Sequence, residues 1–195
     1  MLQGFGYTPE RLAEGLALWN QTQALSQRQT REYGESFGAT EALDSAWTTA
    51  HTAYVRTLKV ARVAFGDEPL AAASLKLYGP RRESLAGWLD QASTFYANLT
   101  PLVGRLAKYG YTAAKVASEA ALVETVRQAQ QNQVKESGEA QQATVDRDRS
   151  VEALDMWVSE LRAIAKVAFA DEPQHLEKLG IAVLNAPRAK KAVRV

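Results

Sequence analysis

The chain has 195 residues, a formal net charge of +1 and a hydrophobic content of 46%. This balance gives no global bias towards nucleic acids or anionic membranes, so neither is predicted as a partner. The absence of cysteine excludes disulfides, thiolate nucleophiles and cysteine-ligated metal centres. No apolar run approaches the roughly 20 residues that a membrane-spanning helix needs, and no signal peptide is visible. A cytoplasmic protein is therefore expected.

Helical patterns occupy the first 65 residues. Thr8 followed by Pro9 is typical of a helix start, and apolar side chains then recur at helical spacing. The pattern predicts a helix over 9–33, a turn at Gly34 and Gly38, and a returning helix over 39–65. The apolar face of the returning helix comprises Leu43, Trp47, Ala50, Tyr54, Leu58, Ala61 and Phe65.

Shorter helices are predicted in the next stretch, over 70–77, 82–99 and 100–108. The helix over 82–99 has a wide apolar face, which predicts that it is well buried. Its aromatic side chains Trp88, Phe95 and Tyr96 are candidate ligand-binding residues, because aromatic clusters line many small-molecule pockets. The alternative interpretation is that they form part of the core.

The second half of the chain repeats the first at an offset of 104 residues. Ala-Arg-Val-Ala-Phe-Gly-Asp-Glu-Pro at 61–69 recurs as Ala-Lys-Val-Ala-Phe-Ala-Asp-Glu-Pro at 165–173, and Gly-Tyr-Thr at 6–8 recurs at 110–112. We therefore predict an internal duplication within one helical domain, 1–195, with repeats at about 6–109 and 110–195. The second repeat is truncated, since it has no counterpart of the helix over 82–99.

The second repeat predicts a helix over 112–136, a turn at Gly138, a returning helix over 140–169 and a short helix that ends near Leu179. A basic tail with Arg188 and Arg194 follows. Two antiparallel hairpins predict an all-α fold: an up-and-down four-helix bundle with short extra helices at one end. The stretches 27–40 and 128–149 lie at the predicted tips and are poor in large apolar residues. They are interpreted either as solvated, mobile tips or as binding sites.

The repeated Asp-Glu-Pro turns offer carboxylates that could hold a metal ion. Glu172 and His175 have the Glu-x-x-His spacing found in di-iron carboxylate bundles, whereas the first copy has Glu68 and then Ala71. We name Glu68, Glu172 and His175 as candidate metal ligands. The alternative interpretation is structural, because an acid before proline is typical of a helix start. No cofactor is predicted.

No catalytic residue is predicted, because the sequence contains neither a serine–histidine–acid pattern nor a phosphate-binding glycine motif. The sequence favours a non-enzymatic interaction or structural protein over an enzyme. The alternative is a helical bundle that binds a small molecule or a metal ion. A protein partner or self-association is expected, since the truncated repeat leaves an apolar face where a counterpart of Trp88 would lie.

The repeated turn sequence is followed by Gly-Pro-Arg-Arg-Glu-Ser-Leu-Ala-Gly-Trp-Leu at 79–89. Together these stretches resemble a group of uncharacterised bacterial helical proteins of unknown function. The resemblance covers most of the chain and implies a helical fold in a bacterial, cytoplasmic protein. It implies no activity, because the group has no established one.

Overall fold

The computed structural model describes residues 1–181. Within this range the fold is all-α, without strands, and the prediction of this class is confirmed. The α-helices are α1 (Pro9–Phe65), α2 (Pro69–Ser74), α3 (Leu85–Leu99), α4 (Ala113–Ala168) and α5 (Gln174–Lys178). Two 3-10 helices, Leu2–Phe5 and Thr100–Tyr109, come before α1 and α4. The predicted basic tail lies outside the described residues.

The predicted hairpin turns were wrong, because α1 and α4 continue through the glycines that suggest them. Gly34, Gly38 and Gly138 are helical, and a methyl group added at any of them would meet no atom within 4 Å. Each glycine costs a helix only about 1 kcal/mol relative to alanine, which is too little to force a turn. The four long helices of the predicted bundle are therefore two, and the polar stretches 27–40 and 128–149 are helix interiors.

The structure divides into two compact units that do not follow the repeat boundaries. The central unit comprises residues 31–141, and the terminal unit comprises residues 1–30 together with the described residues from 142 to 181. Each unit contains one stretch of α1 and one stretch of α4. Each unit therefore pairs residues from both sequence repeats, whereas the predicted hairpins pair residues within one repeat.

In the central unit, α3 packs into the groove between the two long-helix segments. Ser84 begins α3 by accepting a hydrogen bond from the backbone N–H of Gly87. The buried core combines side chains of α3 with side chains of α1 and α4. The larger buried side chains from these three helices are Tyr54, Leu58, Phe65, Trp88, Leu89, Phe95, Tyr96, Leu99, Val116, Val123 and Val126. The prediction that this helix is well buried is confirmed.

The terminal unit has a smaller core. Thr22 Oγ1 lies 2.8 Å from Ser150 Oγ, which joins its α1 and α4 segments as an antiparallel pair. Trp157 packs edge-on against the ring of Tyr7, at 5.9 Å between centroids, and lies over Gly15, where a methyl group would overlap the indole. A second apolar cluster is formed by Leu2, Ala165, Phe169, Leu176 and Ile181.

Local features recur in the two repeats at the sequence offset. In each, a threonine hydroxyl accepts a hydrogen bond from the backbone N–H three residues later, and the cation at that later position lies over the ring of a buried tyrosine. The first repeat uses Tyr7, Thr8 and Arg11, and the second uses Tyr111, Thr112 and Lys115. After the Asp-Glu-Pro turns, Lys76 and Gly180 both adopt the left-handed backbone conformation, with φ of 47° and 70°. The equivalent positions thus share backbone geometry as well as sequence.

None of the helices in the described part of the chain combines the length and apolar character needed to cross a membrane. The longest, α1 and α4, are rich in charged and amide side chains along much of their length. This finding agrees with the sequence, in which no sufficiently long apolar run occurs.

Candidate functional site

The predicted ligand-binding residues Trp88, Phe95 and Tyr96 lie together in the core of the central unit. All three are buried, and the ring of Tyr54 meets those of Trp88 and Phe95 edge-on, at 6.2 and 5.3 Å between centroids. Edge-to-face contacts of this kind stabilise aromatic clusters. Their packing fits the core interpretation, and ligand binding by these residues stays a prediction.

A hydrogen-bonded network lies beside these aromatic rings. Glu119 is only 9% exposed, and its Oε2 accepts hydrogen bonds from the hydroxyls of Thr57 at 2.5 Å and Tyr96 at 3.2 Å. The Thr57 hydroxyl is also hydrogen-bonded to that of Tyr111 at 3.0 Å. Burial raises the pKa of Tyr96 far above its usual value, and the neighbouring Glu119 raises it further. Tyr96 therefore remains a protonated donor, and the network joins α1, α3 and α4 within the central unit.

No catalytic motif in the sequence indicates this network, but the position of one acidic residue does. Glu119 falls on the apolar stripe formed by Val116, Ala120 and Val123, where an acidic side chain needs buried donors. Its counterpart in the first repeat is Gly15, which lies under Trp157. At this pair of positions one repeat therefore has a buried carboxylate, and the other has a glycine covered by an indole ring.

A cleft of about 690 Å³ lies beside the loop that joins α2 to α3. Its charged lining residues include Lys76, Arg81, Arg82 and Asp90. The Arg81 guanidinium donates to the backbone carbonyl of Leu77 at 2.8 Å and to the Tyr54 hydroxyl at 3.1 Å, so it already holds the loop against the core. The three predicted aromatic ligand-binding residues are not among those that line this cleft.

The candidate metal ligands lie in turns where each has a polar partner. In the central unit, both carboxylate oxygens of Glu68 accept hydrogen bonds from Arg105, which holds the pKa of Glu68 below its usual value. The Arg105 guanidinium also lies over the Phe65 ring. In the terminal unit, His175 Nε2 lies 2.9 Å from Glu172 Oε2. These contacts support the structural interpretation of the turns, and metal binding by the three residues stays a prediction.

The terminal unit presents an apolar surface, which we call the uncovered face, formed by Leu12, Leu16 and Trp19 of α1. These side chains are 41%, 60% and 50% exposed. Their counterparts in the second repeat are Val116, Ala120 and Val123, on the side of α4 that packs against α3. Val116 and Val123 are 1% and 3% exposed. The same helix face is therefore covered in the central unit and open in the described part of the terminal unit.

Acidic side chains lie close to Val151 of α4 in the terminal unit. A shallow cleft of about 430 Å³ is lined by Val151, Glu152, Asp155 and neighbouring residues of the same helix. Val151 is 36% exposed and is the counterpart of Trp47, whose ring contacts that of Trp88 in the central unit. Asp155 stands where the first repeat has His51, which stacks on Trp47 at 4.8 Å. The position that contacts α3 in one unit is thus bordered by carboxylates in the other.

The chain matches no family model, no curated protein and no solved structure. Its function is therefore inferred from the residues themselves. Two features distinguish the repeats chemically: the buried network around Glu119 and the uncovered face.

Proposed function

We propose that the protein is a non-enzymatic interaction protein whose terminal unit binds an amphipathic helix of a protein partner at the uncovered face. The observation that carries this proposal is the contrast in exposure between equivalent positions of the repeats. Val116 and Val123 are buried, whereas Leu12 and Trp19 are about half exposed. Apolar side chains at helical spacing on an open surface are typical of helix-binding grooves.

The central unit supplies a template for the partner. There the equivalent face is covered by α3, a helix of 15 residues with aromatic and aliphatic side chains along one side. A partner helix of about four turns with a similar apolar side would bury Leu12, Leu16 and Trp19. Burial of each such side chain contributes about 1.5–3 kcal/mol before the entropic cost of association is subtracted. Three adjacent apolar side chains that become buried together are consistent with specific binding of the partner helix.

Charge restricts the partner further. Glu152 and Asp155 border Val151, and Asp155 occupies the position of an aromatic-stacking histidine in the first repeat. A helix that docks against both α1 and α4 of this unit would therefore gain from lysine or arginine along the edge that faces α4. We infer a partner helix that is apolar on one side and basic along one edge.

An internal duplication is also proposed for the origin of the two units. It is supported by the sequence repeat and by the recurrence of the buried tyrosine, the threonine cap and the left-handed backbone position. The first repeat contains α3, which covers the equivalent face of α4 in the central unit. After the second copy of the turn, the described residues stop before the position of an equivalent helix. The bacterial and cytoplasmic context stays a prediction.

Site-specific photo-crosslinking in the native host tests the proposed interaction. A photoreactive amino acid is placed at Leu16 and, as a matched control, at Ala24, which is also exposed on α1 in the terminal unit. We expect the photoreactive residue at position 16 to crosslink to a partner protein, within a segment of that partner whose sequence predicts a basic amphipathic helix. Trp19→Glu should abolish this crosslink. Capture of a second copy of this chain, or no product beyond that seen with Ala24, would overturn the proposal.

A further inference from the structure

Three carboxylates converge in the central unit. Glu32 of α1 and Glu136 and Glu139 of α4 each offer a carboxylate oxygen, and these oxygens lie within 4.8 Å of one another. Glu136 and Glu139 are three residues apart, so their side chains share one side of the helix. Carboxylates at such distances repel one another unless a cation or a proton lies between them.

The most informative of the three is Glu136, which is only 9% exposed. Its Oε1 accepts a hydrogen bond from Lys135 Nζ at 3.0 Å, but its Oε2 is buried and has no hydrogen-bond partner. A buried carboxylate oxygen without a donor costs several kcal/mol, so native proteins seldom contain one. This oxygen marks a position where a positively charged ligand would be stabilised.

The Lys135 ammonium group contacts two of the three carboxylates. Its Nζ lies 3.0 Å from Glu136 Oε1 and 3.3 Å from Glu139 Oε2. The ammonium group does not satisfy Glu136 Oε2. The Lys135 side chain is 60% exposed, so its ammonium group can exchange its contacts with the two carboxylates for water. A more strongly bound cation can displace the Lys135 ammonium group from the two carboxylates.

We propose that Glu32, Glu136 and Glu139 form a binding site for a hard divalent cation, for which Ca²⁺ serves as the probe. All three ligands are oxygens, which suit Ca²⁺, Mg²⁺ or Mn²⁺ better than softer ions. Oxygens on opposite sides of Ca²⁺ are about 4.8 Å apart, because each Ca²⁺–O distance is about 2.4 Å. Oxygens on opposite sides of Mg²⁺ are about 4.2 Å apart, so this ion also satisfies the same limit. Water molecules would complete the coordination.

Isothermal titration of the full-length chain with CaCl₂, after treatment with EDTA and removal of the chelator, tests this site. We expect one ion to bind per chain and the Tm to rise with Ca²⁺ concentration. Glu136→Gln should weaken binding at least tenfold, whereas Glu35→Gln, an exposed change one turn from Glu32, should leave it unchanged. Lys135→Gln should bind Ca²⁺ several-fold more tightly, because the competing ammonium group is gone.

The outcomes separate a cation site from a purely structural charge cluster. A structural ion pair predicts that Lys135→Gln lowers the Tm and changes no binding constant, which would overturn the proposal. Absence of binding heat with CaCl₂, MgCl₂ and MnCl₂ would overturn it as well, as would equal affinity in wild type and Glu136→Gln. Should Glu136→Gln fail to fold, Glu139→Gln provides the same comparison from a more exposed position.

Discussion

Replacement of the three helical glycines by alanine is expected to stabilise the protein. Gly34, Gly38 and Gly138 lie inside α1 and α4, and an added methyl group at each meets no atom within 4 Å. Alanine in a helix interior is favoured over glycine by about 0.5–1 kcal/mol, partly because it restricts the unfolded chain. The triple variant should therefore gain about 1.5–3 kcal/mol if the effects add.

Urea unfolding followed by circular dichroism at the helix minimum measures this gain directly. For a chain of this size, 1 kcal/mol corresponds to about 2–4 °C in Tm, so the triple variant should melt about 3–12 °C higher. The same substitution at Gly6 or Gly110 provides the control. Both have positive φ, at 83° and 76°, where alanine costs about 1–2 kcal/mol. The controls should therefore change stability in the opposite direction.

The contrary result would be clear. If the chain turned at Gly34 and Gly138, as the hairpin interpretation requires, alanine would be strained there and the triple variant would lose stability. Lower stability together with lower helix content would refute the continuous helices and restore the four-helix bundle. Unchanged stability would show that the three positions are frayed rather than helical.

Further predictions concern the two cores. Thr57→Val removes a donor from buried Glu119 and should lower the free energy of unfolding by about 1–3 kcal/mol in urea; equal stability would contradict the network. Burial raises the pKa of Tyr96 in the folded chain, so with rising pH this tyrosine ionises first in the unfolded chain. The stability that neutral Tyr96 gives the fold is therefore complete below about pH 10 and is lost as the pH rises further. Tyr96→Phe should therefore flatten the fall in Tm above about pH 10, and an unchanged slope there would argue against a buried, neutral Tyr96. Trp157→Ala should cost less than the roughly 3–5 kcal/mol of a fully buried tryptophan, because Trp157 is only partly buried. Gly15→Ala should destabilise the wild type but be tolerated in Trp157→Ala, whereas additive effects in the double-mutant cycle would exclude the contact.

The helix ends were predictable from local chemistry, but the pairing of the long helices was not. Thr8 and Pro9 mark the start of α1, and the left-handed Gly110 follows the second 3-10 helix. The stripe on α1 is compatible with a partner from the same repeat or from the other repeat, because both supply similar apolar residues. Glycine favours the hairpin only weakly, by about 1 kcal/mol per residue. The decisive contacts, such as Thr22 with Ser150, are long-range and have no local signature.

The candidate sites were predictable to different degrees. An open apolar face follows from the truncated repeat, which lacks a counterpart of Trp88, although the sequence alone does not show that Leu12, Leu16 and Trp19 form it. The Glu136 cluster lies in a stretch that the sequence marks only as polar. Its third member, Glu32, is more than 100 positions away in the chain, so periodicity alone cannot bring the three carboxylates together.

The division into units has a consequence for how the chain folds during synthesis. The central unit is one continuous stretch, whereas the terminal unit joins residues 1–30 to residues from 142 onwards. The first 30 residues therefore cannot pack against their partners in the terminal unit until the end of α4 has been translated. At about 5–20 residues per second, the synthesis of the intervening stretch takes roughly 6–22 s. Throughout that interval Leu16 and Trp19 are available to chaperones on the nascent chain, while the central unit can already fold.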